Sequence, residues 1–210
     1  MRSRISVRML FALAGHRHQF YLRSYFFMIE TLKAAVDKIE WKYVELSRQN
    51  YRNTTEYTDL GAPHWLERPF AYEIYHQLRI LWNAGAAPRN CVIHAEVLKG
   101  YQHIKDINSM PDFLFHDPAP GGRSIAVVEI KLASNPKKEI LADFMKLARF
   151  RKELRYEYLI EILIGSEHEI ARSLDNIRGF HVDCDVPIHV LTLSITDHSA
   201  RIFPIRCATL

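Results

Sequence analysis

Cysteine is scarce in this chain, with three residues among 210, at positions 91, 184 and 207. They are odd in number, widely spaced and form no CxxC pair, which argues against both a disulfide framework and a cysteine-based zinc site. A reducing compartment is the simplest interpretation, and we therefore expect a cytoplasmic protein.

Long apolar runs, internal repeats and low-complexity tracts are also missing from the sequence. A membrane-spanning helix needs about 20 apolar residues in succession, so we predict no membrane association. The net charge of +4 and the 48% share of hydrophobic residues are ordinary for a globular domain. Such a mild positive charge permits a nucleic-acid partner without requiring one.

The apolar spacing divides the chain into two parts. Residues 1–62 are predicted to be an N-terminal helical extension, with an amphipathic helix over about 27–49 and with Met28 as an alternative start of translation. A polar loop rich in Asn, Thr and Gly follows. We predict that residues 63–210 form the main domain, with a core over about 68–165.

Within that domain the periodicities predict a helix from Arg68 to Asn83, three strands, a helix after Pro136, and a fourth strand. The strands lie in "CVIHAEVLK", "DFLFH", "SIAVVEIKL" and "YEYLIEILIG". A further helix and a closing pair of strands are predicted after them. Strands separated by a helix need a crossover connection, which predicts an α/β fold with a mixed sheet sandwiched by helices.

Three charged residues mark the ends of the second and third predicted strands. Glu129 and Lys131 are two apart in a strand and therefore share a face. Asp112 opens the preceding strand, and antiparallel pairing would bring it beside Glu129. Two carboxylates with open positions suit Mg²⁺, which keeps several waters and accepts phosphate oxygens. Alternatively, Asp112 caps a turn and the other two form a structural ion pair.

Pro111-Asp112 followed by Glu129-Ile130-Lys131 resembles the PD-(D/E)xK phosphodiesterase superfamily, whose restriction-endonuclease-like core runs α-β-β-β-α-β. The resemblance covers roughly the middle half of the chain and implies metal-dependent cleavage of phosphodiester bonds, with DNA as the expected substrate. It implies that Asp112 and Glu129 bind Mg²⁺, or Mn²⁺ as a substitute, and that Lys131 is catalytic. Many members also form homodimers.

Two further carboxylates are candidates for the same site. Glu73, on the first core helix, matches an acidic position of many members of the superfamily, and its apolar neighbours favour a role in the site over a solvated surface position. Glu96, on the first strand, is a secondary metal ligand, with an edge-strand charge as an equally good interpretation.

Basic residues near the predicted site are candidates for contacts with nucleic-acid phosphates. Lys137, Lys138, Lys146 and Arg149 lie just after the third strand and on the following helix. A solvated helix face explains the same residues without a ligand. The sequence therefore leaves three hypotheses: a nuclease, a catalytically inactive domain of the same fold that binds nucleic acid or protein, and an unrelated α/β protein.

Overall fold

The computed structural model of the chain describes residues 27–45, 65–86, 90–96 and 110–205. Six strands form one sheet whose spatial order is the chain order. They are β1 (Val92–Ala95), β2 (Phe113–His116), β3 (Ser124–Leu132), β4 (Tyr158–Gly165), β5 (Ile188–Ser194) and β6 (Ala200–Ile205). The helices are α1 (residues 27–36 of the described chain), α2 (Glu67–Asn83), α3 (Lys137–Leu154) and α4 (Glu167–Arg178).

The sheet is mixed because its two kinds of connection differ. β1, β2 and β3 pair as antiparallel neighbours, as do β5 and β6, whereas α3 and α4 carry the chain back to make β3, β4 and β5 parallel. From α2 to β4, the predicted order of helix, three strands, helix and strand is confirmed. The predicted closing pair is β5 and β6.

Helices cover both faces of the sheet, as predicted, and each face has its own hydrophobic core. On one face, α1 and α2 contribute Met28, Leu32 and Phe70 to a cluster that includes Val128 and Ile130 of β3. On the other face, α3 and α4 pack over a cluster that includes the alternate residues of the same strands. Glu129 and Lys131 alternate with Val128 and Ile130, so both belong to the α3 face.

The N-terminal segment differs from the prediction. The helix predicted over 27–49 is interrupted after residue 36, and a single 3₁₀ turn follows at Trp41–Tyr43. Trp41 stacks on His198 of the β5–β6 turn at a ring distance of 3.9 Å and makes an edge contact with Phe70 of α2. These tertiary contacts outweigh the helical preference of the local sequence. The predicted domain boundary near residue 62 lies outside the described residues.

A glycine turn joins β2 to β3, and a one-residue shift in pairing lies beside it, between Phe115 and His116. Gly121 has φ of +72°, a conformation that residues with a Cβ rarely adopt. At Gly122, a Cβ would collide with the backbone carbonyl of Asp117. The two glycines therefore allow the chain to reverse tightly enough for β2 to pair with β3. Among the described residues, no helix is both long and apolar enough to cross a membrane.

His189 makes the stability of the sheet depend on pH. It lies within β5 and is 2% exposed, and burial lowers its pKa to about 4. A histidine whose folded pKa lies below its unfolded value stabilises the fold fully above pH 6.5 and loses that contribution as the pH falls towards 4. The free energy of unfolding should fall less between pH 7 and pH 5 in His189→Gln than in the wild type. We expect the difference between the two losses to be about 2 kcal/mol. Urea unfolding of both proteins at the two pH values measures this difference, and an identical pH dependence would contradict the assignment.

Candidate functional site

The register of β2 and β3 brings Asp112 to the end of β3. Phe113 pairs with Val128, so the preceding residue, Asp112, lies opposite Glu129. Asp112 Oδ2 also accepts a hydrogen bond of 2.6 Å from the backbone N–H of Ile130. This is the antiparallel arrangement that the sequence predicted. The carboxylate is thus fixed across the strand pair rather than used to cap its own turn.

Glu129 is a buried carboxylate with one bound oxygen and one free oxygen. Its side chain is 4% exposed, and Oε2 accepts a hydrogen bond of 2.7 Å from Lys146 Nζ. Oε1 is buried and has no hydrogen-bond partner among the described residues. A buried carboxylate oxygen without a partner is unfavourable, so this atom is available to a ligand.

Lys131 is held by two carboxylates from different helices. Its Nζ lies 3.3 Å from Glu67 Oε2 at the start of α2 and 3.2 Å from Asp143 Oδ2 on α3. The Asp143 contact is close enough for an ion pair, although Oδ2 is not aligned as a hydrogen-bond acceptor. The sequence left open a structural ion pair between Glu129 and Lys131. In the structure, Lys131 instead pairs with Glu67 and Asp143, and Glu129 pairs with Lys146.

Glu67 also ties the start of α2 to the end of β3. Its Oε1 accepts hydrogen bonds from the backbone N–H of Leu132, at 3.2 Å, and from Asn135 Nδ2, at 2.8 Å. An acidic residue in the first turn of a helix is favoured by the helix dipole. Glu67 consequently fixes both the strand end and the ammonium group of Lys131.

Glu161 adds another carboxylate from the neighbouring parallel strand. It is fully buried and lies directly opposite Glu129 in the β3–β4 register. Neither of its oxygens has a hydrogen-bond partner in the described part of the chain. Directly paired residues of neighbouring strands share a face, so Glu161 lies beneath the α3 side of the sheet with Glu129.

Burial raises the pKa values of the carboxyl groups at this site. For Asp112, the Ile130 N–H and the charge of Lys146 oppose the effect of burial, and the pKa is about 6. For Glu129, Lys146 again opposes burial, while the charges of Asp112 and Asp143 add to it, and the pKa is about 8. Both groups therefore bind protons more tightly than exposed carboxylates do.

The remaining charged groups respond to the same crowding. Burial is the main cause that raises the pKa of Asp143, and it raises the pKa of Glu161 well above its usual value, with the charges of Asp143 and Glu129 adding to the effect. Burial acts to lower the pKa of Lys131, but Asp143 and Glu67 raise it above the ordinary lysine value. The site thus gathers more carboxylates than ammonium groups, which favours additional positive charge.

Two predicted carboxylates make their contacts elsewhere. Glu73 is buried on the α2 face, where Oε1 accepts hydrogen bonds from Gln77 Nε2 and the backbone N–H of Glu40. Glu96 is exposed at the end of β1 and lies 3.5 Å from Arg68 Nε. The prediction placed Glu73 in the acidic pocket, but in the structure Glu67, nearly two turns earlier on α2, contacts Lys131. The helix presents its first turn, rather than its middle, to the end of β3.

The predicted basic residues also separate into two groups. Lys146 is part of the acidic site through Glu129, whereas Lys137 and Lys138 are exposed in the first turn of α3. Arg149 is exposed and bonds Glu153 one turn later on the same helix. Of the four, Lys146 therefore lies in the acidic site, and the other three are exposed on α3.

Three carboxylates of the site were not predicted from the sequence: Glu67, Asp143 and Glu161. Glu161 had a usable signal, because a single acidic residue interrupts the apolar strand "YLIEILIG". Asp143 lies three residues before Lys146 and so shares a helix face with it. Glu67 precedes the residue at which the helix was predicted to begin, and no local pattern distinguished it from other acidic residues.

Asp112 and Glu129 are the two carboxylates of the site that could hold a divalent metal. In the described residues, no group of three or more His, Cys, Asp or Glu side chains is arranged to hold a metal ion. Mg²⁺ does not require such a cage, because it is often bound by one or two carboxylates together with water and phosphate oxygens. The donor set is hard oxygen, and the unpartnered Oε1 of Glu129 offers a ligand atom.

Compared with known proteins, the chain matches no family model, no curated protein and no solved structure. The geometry of its own residues therefore carries the functional argument.

Glu161 is expected to destabilise the folded protein. A carboxyl group with a raised folded pKa must take up a proton on folding, so its cost grows as the pH rises above the unfolded pKa. We expect Glu161→Gln to increase the free energy of unfolding at pH 7 on the order of 1–3 kcal/mol, with a smaller gain at pH 5. Urea unfolding at both pH values tests this expectation. Glu153→Gln, an exposed change on α3, is the control, and a loss of stability in Glu161→Gln would show that its carboxylate has a favourable partner.

Proposed function

We propose that this protein is a metal-dependent nuclease that hydrolyses phosphodiester bonds in DNA, with a restriction-endonuclease-like core. The observation that carries the proposal is the juxtaposition of Asp112, at the start of β2, with buried Glu129 and half-buried Lys131, at the end of β3. The residues of the Pro-Asp and Glu-Ile-Lys motifs lie at neighbouring positions in space as well as matching the superfamily pattern in sequence. The α-β-β-β-α-β order of the elements adds support.

Asp112 and Glu129 would hold Mg²⁺, or Mn²⁺ in its place. The bound metal would polarise the phosphodiester and lower the pKa of a coordinated water. Asp112 is suited to this role because the Ile130 N–H fixes its carboxylate, and Glu129 because Oε1 has no other partner among the described residues. Fixed ligands reduce the reorganisation needed when substrate binds.

Lys131 would orient the attacking water and offset negative charge on the phosphorus centre. An ammonium group has three N–H donors, and here it lies beside the carboxylates of Glu67 and Asp143. A donor consequently remains for water or a phosphate oxygen. Because the two carboxylates keep Lys131 protonated and in place, it acts as a positioned cation rather than as a general base.

The surroundings of the site favour a nucleic acid as the substrate, and DNA is the nucleic acid that the resemblance implies. Lys137 and Lys138 are exposed at the start of α3, directly after the segment that follows β3. Cationic side chains bind the phosphate backbone without regard to sequence and release counterions on binding. Together with Arg149 they would bind the strand on either side of the cleaved bond.

Cleavage of supercoiled and linear DNA in the presence of Mg²⁺ tests the proposal. We expect Lys131→Met to lower the cleavage rate about 100-fold or more, as is usual for a group that acts on the reacting atoms. Asp112→Asn should reduce the rate similarly by weakening the metal site. Lys152→Met, an exposed change on α3, is the matched control and should cleave at the wild-type rate.

The possible failures have different meanings. Equal traces of cleavage from the wild-type and Lys131→Met proteins would indicate a contaminating nuclease and contradict the assignment of Lys131. If every protein binds DNA but none cleaves it, a domain that only binds nucleic acid becomes the better interpretation. Circular dichroism of each variant must match the wild-type spectrum for either comparison to count.

A further inference from the structure

Lys146 connects the two strand ends that carry the candidate metal ligands. Its ammonium group donates to Glu129 Oε2 on β3, at 2.7 Å, and to the backbone carbonyl of Met110, at 2.9 Å. Met110 lies two residues before Asp112. One ammonium group therefore links the segment that carries Asp112 to the strand that carries Glu129. A carboxylate and a carbonyl oxygen are also the kinds of ligand that a hard metal ion selects.

The positive charge of Lys146 acts on the same carboxylates that a bound metal ion would neutralise. Lys146 interacts electrostatically with Asp112, Glu129 and Asp143, and it opposes the effect of burial on each of them. Lys131 differs, because its direct contacts are with Glu67 and Asp143. Lys146 is thus the cation in direct contact with Glu129.

The ammonium group of Lys146 is also able to move from Glu129 to solvent. Its side chain is 23% exposed, whereas that of Glu129 is 4% exposed. A lysine ammonium sits on a flexible four-carbon stem and is strongly hydrated, so it can exchange a buried partner for water without a change in the backbone. A metal ion arriving at Glu129 would meet a cation that can move to solvent.

We infer that Lys146 is a built-in counter-ion that occupies Glu129 in the metal-free protein, competes with the divalent cation for it, and so sets the affinity of the site for metal. This inference rests on the metal-dependent function proposed above. When a metal binds, the Lys146–Glu129 hydrogen bond breaks, the ammonium group becomes solvated, and both Glu129 oxygens become available. Lys146 is thereby a determinant of metal affinity rather than a contact for the DNA backbone.

Metal binding can be measured directly by titrating the protein with Mn²⁺ and following the free ion by electron paramagnetic resonance. A ligand whose competent state is only partly populated binds more weakly by that fraction, so removing the competitor should tighten binding. We expect Lys146→Met to bind Mn²⁺ about tenfold more tightly than the wild type. Unchanged or weaker binding in a folded variant would overturn the inference.

Lys131→Met separates displacement from a general change in charge. It removes one positive charge from the same acidic site, but from Glu67 and Asp143 instead of Glu129. If Lys146 competes at Glu129, Lys146→Met should tighten Mn²⁺ binding more than Lys131→Met does. Equal gains in the two variants would mean that only the local net charge matters, and the inference would fail.

The wild-type protein provides a second measurement that does not depend on how the variants fold. An acylating reagent labels free amines, and mass spectrometry then gives the rate of labelling at each lysine. We expect Mn²⁺ to increase the labelling rate of Lys146 several-fold and to leave exposed Lys152 unchanged, since only Lys146 loses a buried partner. Mn²⁺ binding without faster labelling of Lys146 would refute displacement.

These outcomes are distinct from those of the cleavage assay. Tight Mn²⁺ binding with release of Lys146, but without DNA cleavage, would support the inference and reject the nuclease. DNA cleavage without release of Lys146 would support the nuclease and reject the inference. If neither the wild type nor Lys146→Met binds Mn²⁺, the counter-ion inference and the metal-dependent function are both wrong.

Discussion

The hydrogen bond from the Ile130 N–H to Asp112 fixes the geometry on which the rest of the site depends. It forms where β2 begins and β3 approaches its end, and it sets a carboxylate beside Glu129. The glycine turn between the two strands lets the chain reverse, and a one-residue shift in register lies beside it, between Phe115 and His116. A slip of one residue in this pairing would turn Glu129 to the opposite face of the sheet and separate it from the other carboxylates.

An excess of buried carboxylates is the second constraint. Isolated charges are strongly disfavoured in a protein interior, and sets of like charge are more so. The described residues compensate only in part, since Lys131 and Lys146 serve a group of five carboxylates: Glu67, Asp112, Glu129, Asp143 and Glu161. Local choices that lower stability are typical of functional sites, where the arrangement is retained for what it binds.

The two lysines contact different carboxylates around the end of β3. Glu67 and Asp143 hold Lys131 from α2 and α3, which suits a group that must stay in one position during a reaction. Lys146 has a carboxylate and a backbone carbonyl as partners and keeps access to solvent. One cation is therefore positioned and the other exchangeable, although both come from ordinary lysine side chains near the same carboxylates.

The sequence by itself determined the order of the elements and the placement of Asp112, Glu129 and Lys131, because strand periodicity and a short turn are local properties. Only the tertiary structure decided which helix positions meet them. Periodicity tells which side of α2 is apolar but not how far along its axis the helix meets the sheet, so Glu73 was preferred where Glu67 makes the contact. For the same reason Lys146 was assigned to DNA, since its partner on β3 is 17 residues away in sequence and is brought near only by the packing of α3.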